Sequence, residues 1–332
     1  MHSLPPNPVD PDRRRFLLRL TKTGLAALAA GAIGYRFFDP NPPSGAPKEG
    51  SGARLADFSI NGSGPQMAIV RGGQREKTVQ SALAALGGIE RFVRPGDRVL
   101  LKVNAAFASP PSLNATSHPE LVKAVAGLCL KAGAGRVIVT DNPINDPQSC
   151  FDLTGISRAA KESGAEVMLP ATRYFRPVTV PGATLLENWP VLFEPFRFVN
   201  KVIGLAPVKD HHRSGASMTL KNWYGLLGGR RNIFHQDIHT IITELGMLMR
   251  PTLVILDGTQ TMMQNGPTGG SLSDLKDTNT MIVSTDAVAA DAFGASLLER
   301  RLSDLPHIQS AAGAGAGTSD WRSLNPAMIE IG

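Results

Sequence analysis

The sequence predicts an α/β protein: a mostly parallel sheet with helices on both faces, interrupted by an irregular, β-rich insertion. Two observations predict it. Short apolar runs alternate with segments whose apolar residues recur at helical spacing, the pattern of crossover-connected parallel strands. Several of those runs also stop abruptly at a polar residue: RVLLKV at Asn104, RVIVT at Asp141-Asn142, VIGLAPV at Lys209, and LVIL at Asp257-Gly258. In open α/β sheets the loops at such ends form the ligand crevice.

In chain order, residues 67–71 read as a strand and Thr78–Leu86 as a helix, with Val79, Leu83 and Leu86 on one side. Pro95-Gly96-Asp97 turns the chain into the strand Arg98–Val103. Ser117 caps a helix with Pro119 in its first turn, running through Leu121, Val122, Val125, Leu128 and Cys129 to Gly133. The strand Arg136–Thr140, the helix Gly155–Gly164 and the strand Glu166–Leu169 follow. The proline-flanked stretch from Phe175 to Pro195 is the insertion. After it come the strand Lys201–Val208, helices over Met218–Leu227 and His235–Met249, and strands Thr252–Leu256 and Thr280–Val283. Two helices, Asp286–Leu298 and Leu305–Ala312, close the series. Asp286 reads as a first-turn acid favoured by the helix dipole, and Asp291 as reaching the site or a buried partner.

The 332 residues suffice for a sizeable core. Net charge is +6, but residues 1–54 carry +4 of it, leaving +2 for residues 55–332. That distribution, without an aromatic RNA-binding motif, zinc finger or basic helix, argues against nucleic acid as a partner. Two cysteines, Cys129 and Cys150, are too few for an iron–sulfur cluster in this chain. A disulfide between them is chemically allowed in an oxidising compartment.

Residues 1–38 read as a twin-arginine signal or a membrane tether. Arg13-Arg14-Arg15 precede Phe16-Leu17-Leu18 and an Ala/Gly-rich apolar run from Gly24 to Tyr35, which is shorter than a membrane span. The small residues of Ala27-Leu28-Ala29 and Ala30-Gly31-Ala32 suit cleavage, whereas Arg36-Phe37-Phe38 suit an uncleaved tether. Either way the expected location is periplasmic or otherwise extracytoplasmic, with the twin-arginine translocase a partner during export. Residues 39–54 are a Pro/Gly/Ser-rich flexible linker, and residues 55–332 form a single α/β domain.

The stretch Val202–His239 concentrates chemistry, with four of the seven histidines beside Lys209, Lys221, Arg230 and Arg231. Lys209, His211, Lys221, His235 and Asp257 are the candidate catalytic residues, since ammonium, imidazole and carboxylate groups can exchange protons near neutrality. Asn104, His118, Asp141, Asn222, Arg230, Asn265 and Gly266 are candidate contacts for a small anionic substrate. His118 contributes through the helix that it opens, and Asn265-Gly266 through backbone N–H groups. His211, His212 and His235 are candidate ligands of a divalent transition metal. Adjacent His211 and His212 on an extended segment would point to opposite sides. His235 and His239 stand four residues apart, on one helical face.

From about Arg98 to Gly332 the chain resembles the domain of unknown function 362 family. The resemblance rests on LLKVN, SHPELVKAVAGL, GAGRVIVTDNP, KVIGLAPVKDHH, MTLKNWYGLLGG, the histidine after RRNIF, LVILDGTQTMMQNGPTGG, STDAVAADAFGASLL and a terminal GAG…MIEIG. It implies an α/β fold and settles no activity. Some members are fused to ferredoxin-like iron–sulfur modules, so a redox or iron–sulfur protein is an expected partner. Lacking a cysteine cluster, this chain would meet such a centre on another protein. Two functions follow as expectations: an exported acid/base enzyme for a small anion, or a non-catalytic periplasmic accessory that carries a metal or cofactor.

Overall fold

The computed structural model describes Phe16 and residues 19–24, 53–60 and 64–332. The chain divides into units 1–45 and 46–332. In the first, Phe16 and residues 19–24 are helical. The paired arginines, the apolar run after Gly24 and the linker as far as residue 52 lie outside the described residues. Among the described residues no helix is long and apolar enough to cross a membrane.

The second unit is organised by β1 (Met67–Arg71), β2 (Arg98–Lys102), β3 (Arg136–Thr140), β4 (Glu166–Val167), β5 (Phe175–Val178), β6 (Trp189–Leu192), β7 (Lys201–Lys209), β8 (Leu253–Met262), β9 (Leu275–Ser284) and β10 (Ala327–Glu330). Eight of them form one sheet in the order β10-β1-β9-β8-β7-β2-β3-β4, while β5 and β6 pair as the small antiparallel insertion. Within the large sheet only β9 runs against the rest. The reason is local: β9 follows β8 through residues 263–274, a connection with no α-helix to cross over the sheet, so the chain folds back on its neighbour.

Alternation along the strands fills both faces. Val99, Leu101, Val139, Ile203, Leu205, Leu253 and Ile255 pack against helices Arg75–Ala85, Pro119–Lys131 and Ile156–Ser163. Leu100, Ile138, Val202, Val254 and Leu256 pack on the other side with helices Ile238–Leu248, Ala287–Leu297 and Pro306–Gly313. Each fully buried Leu or Ile stabilises by about 1.5–3 kcal/mol.

The strand order fixes where a ligand can bind. From β2 the chain builds outward through β3 to β4, then returns to lay β7 and β8 on β2's other side. Loops leaving β2 and β7 therefore diverge and open a crevice at their carboxyl ends, the switch point of the sheet.

Several expectations need correction. The strand expected to stop at Leu256 continues to Met262, so Asp257 lies mid-strand, opposite Pro207 and Met281. The stretch after Met218 is α-helical only over Thr219–Asn222 and tightens to a 3-10 turn over Trp223–Leu226. The helix expected from His235 begins at Ile238, because residues 231–237 form a 3-10 segment. The helix Pro147–Leu153 and the edge strand β10 went unpredicted. Cys129 and Cys150 are buried free thiols, not a disulfide; burial raises the Cys129 thiol to about 12.

Candidate functional site

Beneath the crevice lies a buried ion pair. Lys102, the last residue of β2, has no solvent exposure and places Nζ 2.7 Å from Asp141 Oδ1, at the end of β3. The same ammonium donates to the carbonyls of Val103 (2.6 Å) and Asn222 (2.9 Å). Asp141 in turn accepts from the backbone N–H groups of Ala105 and Asn142. The pair therefore ties the ends of β2 and β3 to the helix Thr219–Asn222. Gly225 is required beside it, since a Cβ there would stand 2.1 Å from Asp141 Oδ1.

A second buried acid fixes that short helix from behind. Asp291 accepts from Thr219 N (2.8 Å), Thr219 Oγ1 (2.5 Å) and Leu220 N (3.0 Å). It thereby caps the helix start that carries Lys221 and Asn222. Burial outweighs these hydrogen bonds and raises its carboxyl to about 7. Asp286 is an N-cap rather than a first-turn acid, accepting from Ala289 N.

Above these supports is a cavity of about 250 Å³. Lys209, His211, His212, Lys221, His235, Asn104, Asp141 and Asn222 line it, and so do Asn142, Tyr224 and Arg231, with Phe107, Ile144 and Pro267 as apolar wall. Four of the five candidate catalytic residues thus meet. The fifth does not. Asp257 sits five residues short of the strand end, under the helix Arg75–Ala85, and its carboxylate is taken by Arg75 Nε at 2.7 Å. His118 caps its helix by accepting from Glu120 N and is lowered to about 4, by burial and then by the Arg75 charge.

Four of the seven substrate-contact candidates do not line the cavity: His118, Arg230, Asn265 and Gly266. Arg230 is exposed, and Arg231 lines the cavity instead, its guanidinium donating to the carbonyls of Pro143 and Leu227. Asn265 is held by Asp274 Oδ1 at 2.7 Å. Gly266 donates its N–H to Asp210 Oδ2 at 3.1 Å, latching the β8–β9 loop so that Pro267 reaches the cavity. A Cβ at Gly266 would stand 1.8 Å from the Asp210 carbonyl. Gly266→Ala is therefore expected to lift this loop, lowering the melting temperature and speeding proteolytic nicking between residues 263 and 274. An unchanged melting curve and cleavage pattern would contradict it.

Charge in the cavity is unbalanced. Lys209, which is 1% exposed, has no carboxylate partner among the described residues; its Nζ donates to the Ala115 carbonyl and lies over the Phe107 ring. Burial, reinforced by Lys221, lowers it to about 7. Lys221 is lowered to about 8 by burial and then by Arg231. With Asp141 committed to Lys102, Lys209, Lys221 and Arg231 face the space without a counter-charge of their own among the described residues.

The imidazoles are tuned apart. Arg213 N and Ser214 N donate to His211 Nδ1, so this ring carries its proton on Nε2. Burial, then Lys221 and Lys209, pushes it to about 2, so it stays neutral and donates. In His235, Nδ1 faces the Asn232 carbonyl at 3.2 Å and the Tyr224 hydroxyl at 3.2 Å, and that hydroxyl itself donates to the Arg231 carbonyl. The proton therefore sits on Nδ1, and Nε2 is left with a free lone pair. Burial lowers this imidazole as well.

The metal expectation finds no convergent ligand set. His211 and His212 stack with centroids 5.0 Å apart and planes 7° from parallel, and His211 and His235 at 5.9 Å and 18°. A nitrogen lone pair lies in its ring plane, so separated parallel rings cannot aim at one ion. Among the described residues no group of three or more His, Cys, Asp or Glu side chains is placed to hold a metal. His211 and His212 also share one side, because β7 has ended at Lys209 and alternation no longer governs them. His235 and His239 part company: His239 leaves the cavity and sets Nδ1 3.1 Å from His307 Nδ1.

A curated relative, a thylakoid-associated protein of Synechocystis sp., is 26% identical over 267 residues, covering 76% of this chain and 77% of its own. Among solved structures, a Thermotoga maritima protein aligns with a TM-score of 0.40 at 10% identity, covering 69% of this chain. The lactate racemase apoprotein of Thermoanaerobacterium thermosaccharolyticum aligns at 0.39 and 11% identity, covering 76%. The chain spans 60% of the length of each of these two structures. The family model described as a domain of unknown function, DUF362, matches residues 99–296, from the start of β2 to the helix after β9, so the chain belongs to the DUF362 family.

Proposed function

We propose that the cavity binds a small organic anion and performs acid/base chemistry on it. The observation that carries this reading is the set of three cations, Lys209, Lys221 and Arg231, around a cavity whose lining carboxylate, Asp141, is already paired. Such a site is costly when empty and is relieved by an anion. Within it, His211 Nε2–H is a hydrogen-bond donor to a substrate oxygen, and His235 Nε2 is the acceptor for a proton. Two neighbouring imidazoles held in opposite tautomers supply both halves of a proton transfer. The paired arginines near the N-terminus support export of the folded chain.

Binding must then depend on pH. A bound anion favours the ammonium form of Lys209 and Lys221, so protons are taken up on binding. Affinity for oxalate or glycolate is expected to be greatest near pH 6 and to fall above pH 8, by about tenfold per pH unit for each lysine that must be charged. Calorimetric titration from pH 6 to pH 9 checks this. Affinity that is flat or rises with pH, or no binding by any small carboxylate or phosphate, would refute the anion site.

A further inference from the structure

Lys221 differs from every other cation at the cavity. Lys102 has Asp141, Lys209 has the Ala115 carbonyl, and Arg231 is engaged with three backbone carbonyls. Among the described residues Lys221 Nζ has neither a hydrogen-bond acceptor nor a carboxylate; its partner is the face of the Tyr224 ring, 4.9 Å away. Its backbone is pinned by the Asp291 cap on Thr219 and Leu220 and by the Asn222 side chain, which donates to the carbonyls of Leu205 and Lys102. The amine is thus held at the cavity wall with its nitrogen uncommitted. A lysine that only bound an anion would gain from acceptors that keep it charged; an attacking lysine needs the lone pair that such acceptors suppress.

We propose that Lys221 is a nucleophile that forms an imine with the carbonyl carbon of an anionic oxo acid, the substrate class of this site. The inference rests on the anion-site reading and deepens it. Neutral Lys221 Nζ attacks the carbonyl carbon, forming a C–N bond as the C–O π bond opens to the oxygen. His211 Nε2–H donates a hydrogen bond to that oxygen. The carbinolamine then loses its C–O bond, and both amine hydrogens leave with the oxygen as water, so no oxidant or reductant is consumed. Lys209 and the Arg231 charge hold the substrate carboxylate, and His235 Nε2 is available to take a proton from the carbon next to the imine. The setting favours the attack: burial and Arg231 bring Lys221 to about 8, which at neutral pH gives on the order of 10² times the free amine of an ordinary lysine.

The test is reductive trapping of the full chain with glyoxylate, an anionic aldehyde, and cyanoborohydride at pH 7, with peptide mapping of the sites modified. The expected result is one carboxymethyl group per chain, appearing at Lys221 at least about tenfold faster than at the exposed Lys123 and Lys276. Glycolate, an anion with no carbonyl, is expected to slow it. Modification at Lys221 no faster than at the exposed lysines, or confined to Lys209, overturns the assignment. Thermal stabilisation by glycolate, measured in parallel, separates the two ideas. Stabilisation without trapping would remove the imine and leave the anion site, whereas absence of both would remove both. Lys221→Arg, which retains the charge, is expected to keep glycolate stabilisation and lose trapping at that position.

Discussion

Asp141→Asn is expected to lower folding stability by about 3–5 kcal/mol, the cost of leaving a buried charge without its partner. Both groups are buried: the Lys102 side chain is 0% exposed, that of Asp141 3%, and the two are in contact at 2.7 Å. Asparagine removes the negative charge and also introduces an NH₂ group where only donors surround it. The Lys102 ammonium and the N–H groups of Ala105 and Asn142 all need acceptors at that place. The damage should spread to the cavity, because the pair joins β2, β3 and the helix carrying Lys221. Urea unfolding checks it: the midpoint should fall with little change in slope, and glycolate stabilisation should vanish. Combining Lys102→Met with Asp141→Asn removes the orphaned charge and should recover a large part of the loss. A single-variant cost below about 1 kcal/mol would mean that water or a shifted backbone reaches Lys102.

The residues that sequence reasoning placed well are those whose role follows from local pattern. VIGLAPV followed by Lys209, Asp210, His211 and His212 announces a buried strand with a polar end, and the structure puts that end at the crevice. What failed depended on partners distant in sequence. Asp257 resembled the other polar strand ends, yet it lies in mid-strand and Arg75, 182 residues earlier, occupies its carboxylate. β8 and β9 outrun their apolar halves because each supplies the other's hydrogen bonds, so Gly258–Met262 remain extended without a hydrophobic signal. Lys102 was overlooked as one residue of an apolar run. Its signal was available: a cation in a doubly buried strand demands a carboxylate, and Asp141 closes the very next strand. His239 was misread because a 3-10 segment, with a different angular step from an α-helix, separates it from His235. Tyr224 was missed too, although its hydroxyl assigns the His235 tautomer.

Lys209→Met is expected to stabilise the ligand-free protein while reducing affinity for small carboxylates by about 100-fold or more, the loss of one desolvated charge contact. Methionine occupies a similar channel past Phe107 and brings no charge. Its cost is the donor lost by the Ala115 carbonyl, about 1 kcal/mol, against relief of a buried cation worth roughly 1–4 kcal/mol. The sign with pH follows from the lowered amine. In the unfolded chain lysine stays protonated to about pH 10.4, whereas folded Lys209 gives up its proton near 7. Below pH 7 both states are protonated and the folded state carries the whole penalty. Between pH 7 and about 10.4 the penalty shrinks as pH rises. The methionine variant should therefore exceed the parent in melting temperature most clearly at or below pH 7, and the gap should close towards pH 10. A gap that widens with pH, or a variant less stable than the parent at pH 6, would show that Lys209 is held by a counter-charge. The cavity would then not be the electrostatically strained, anion-seeking site on which the chemistry of Lys221, His211 and His235 depends.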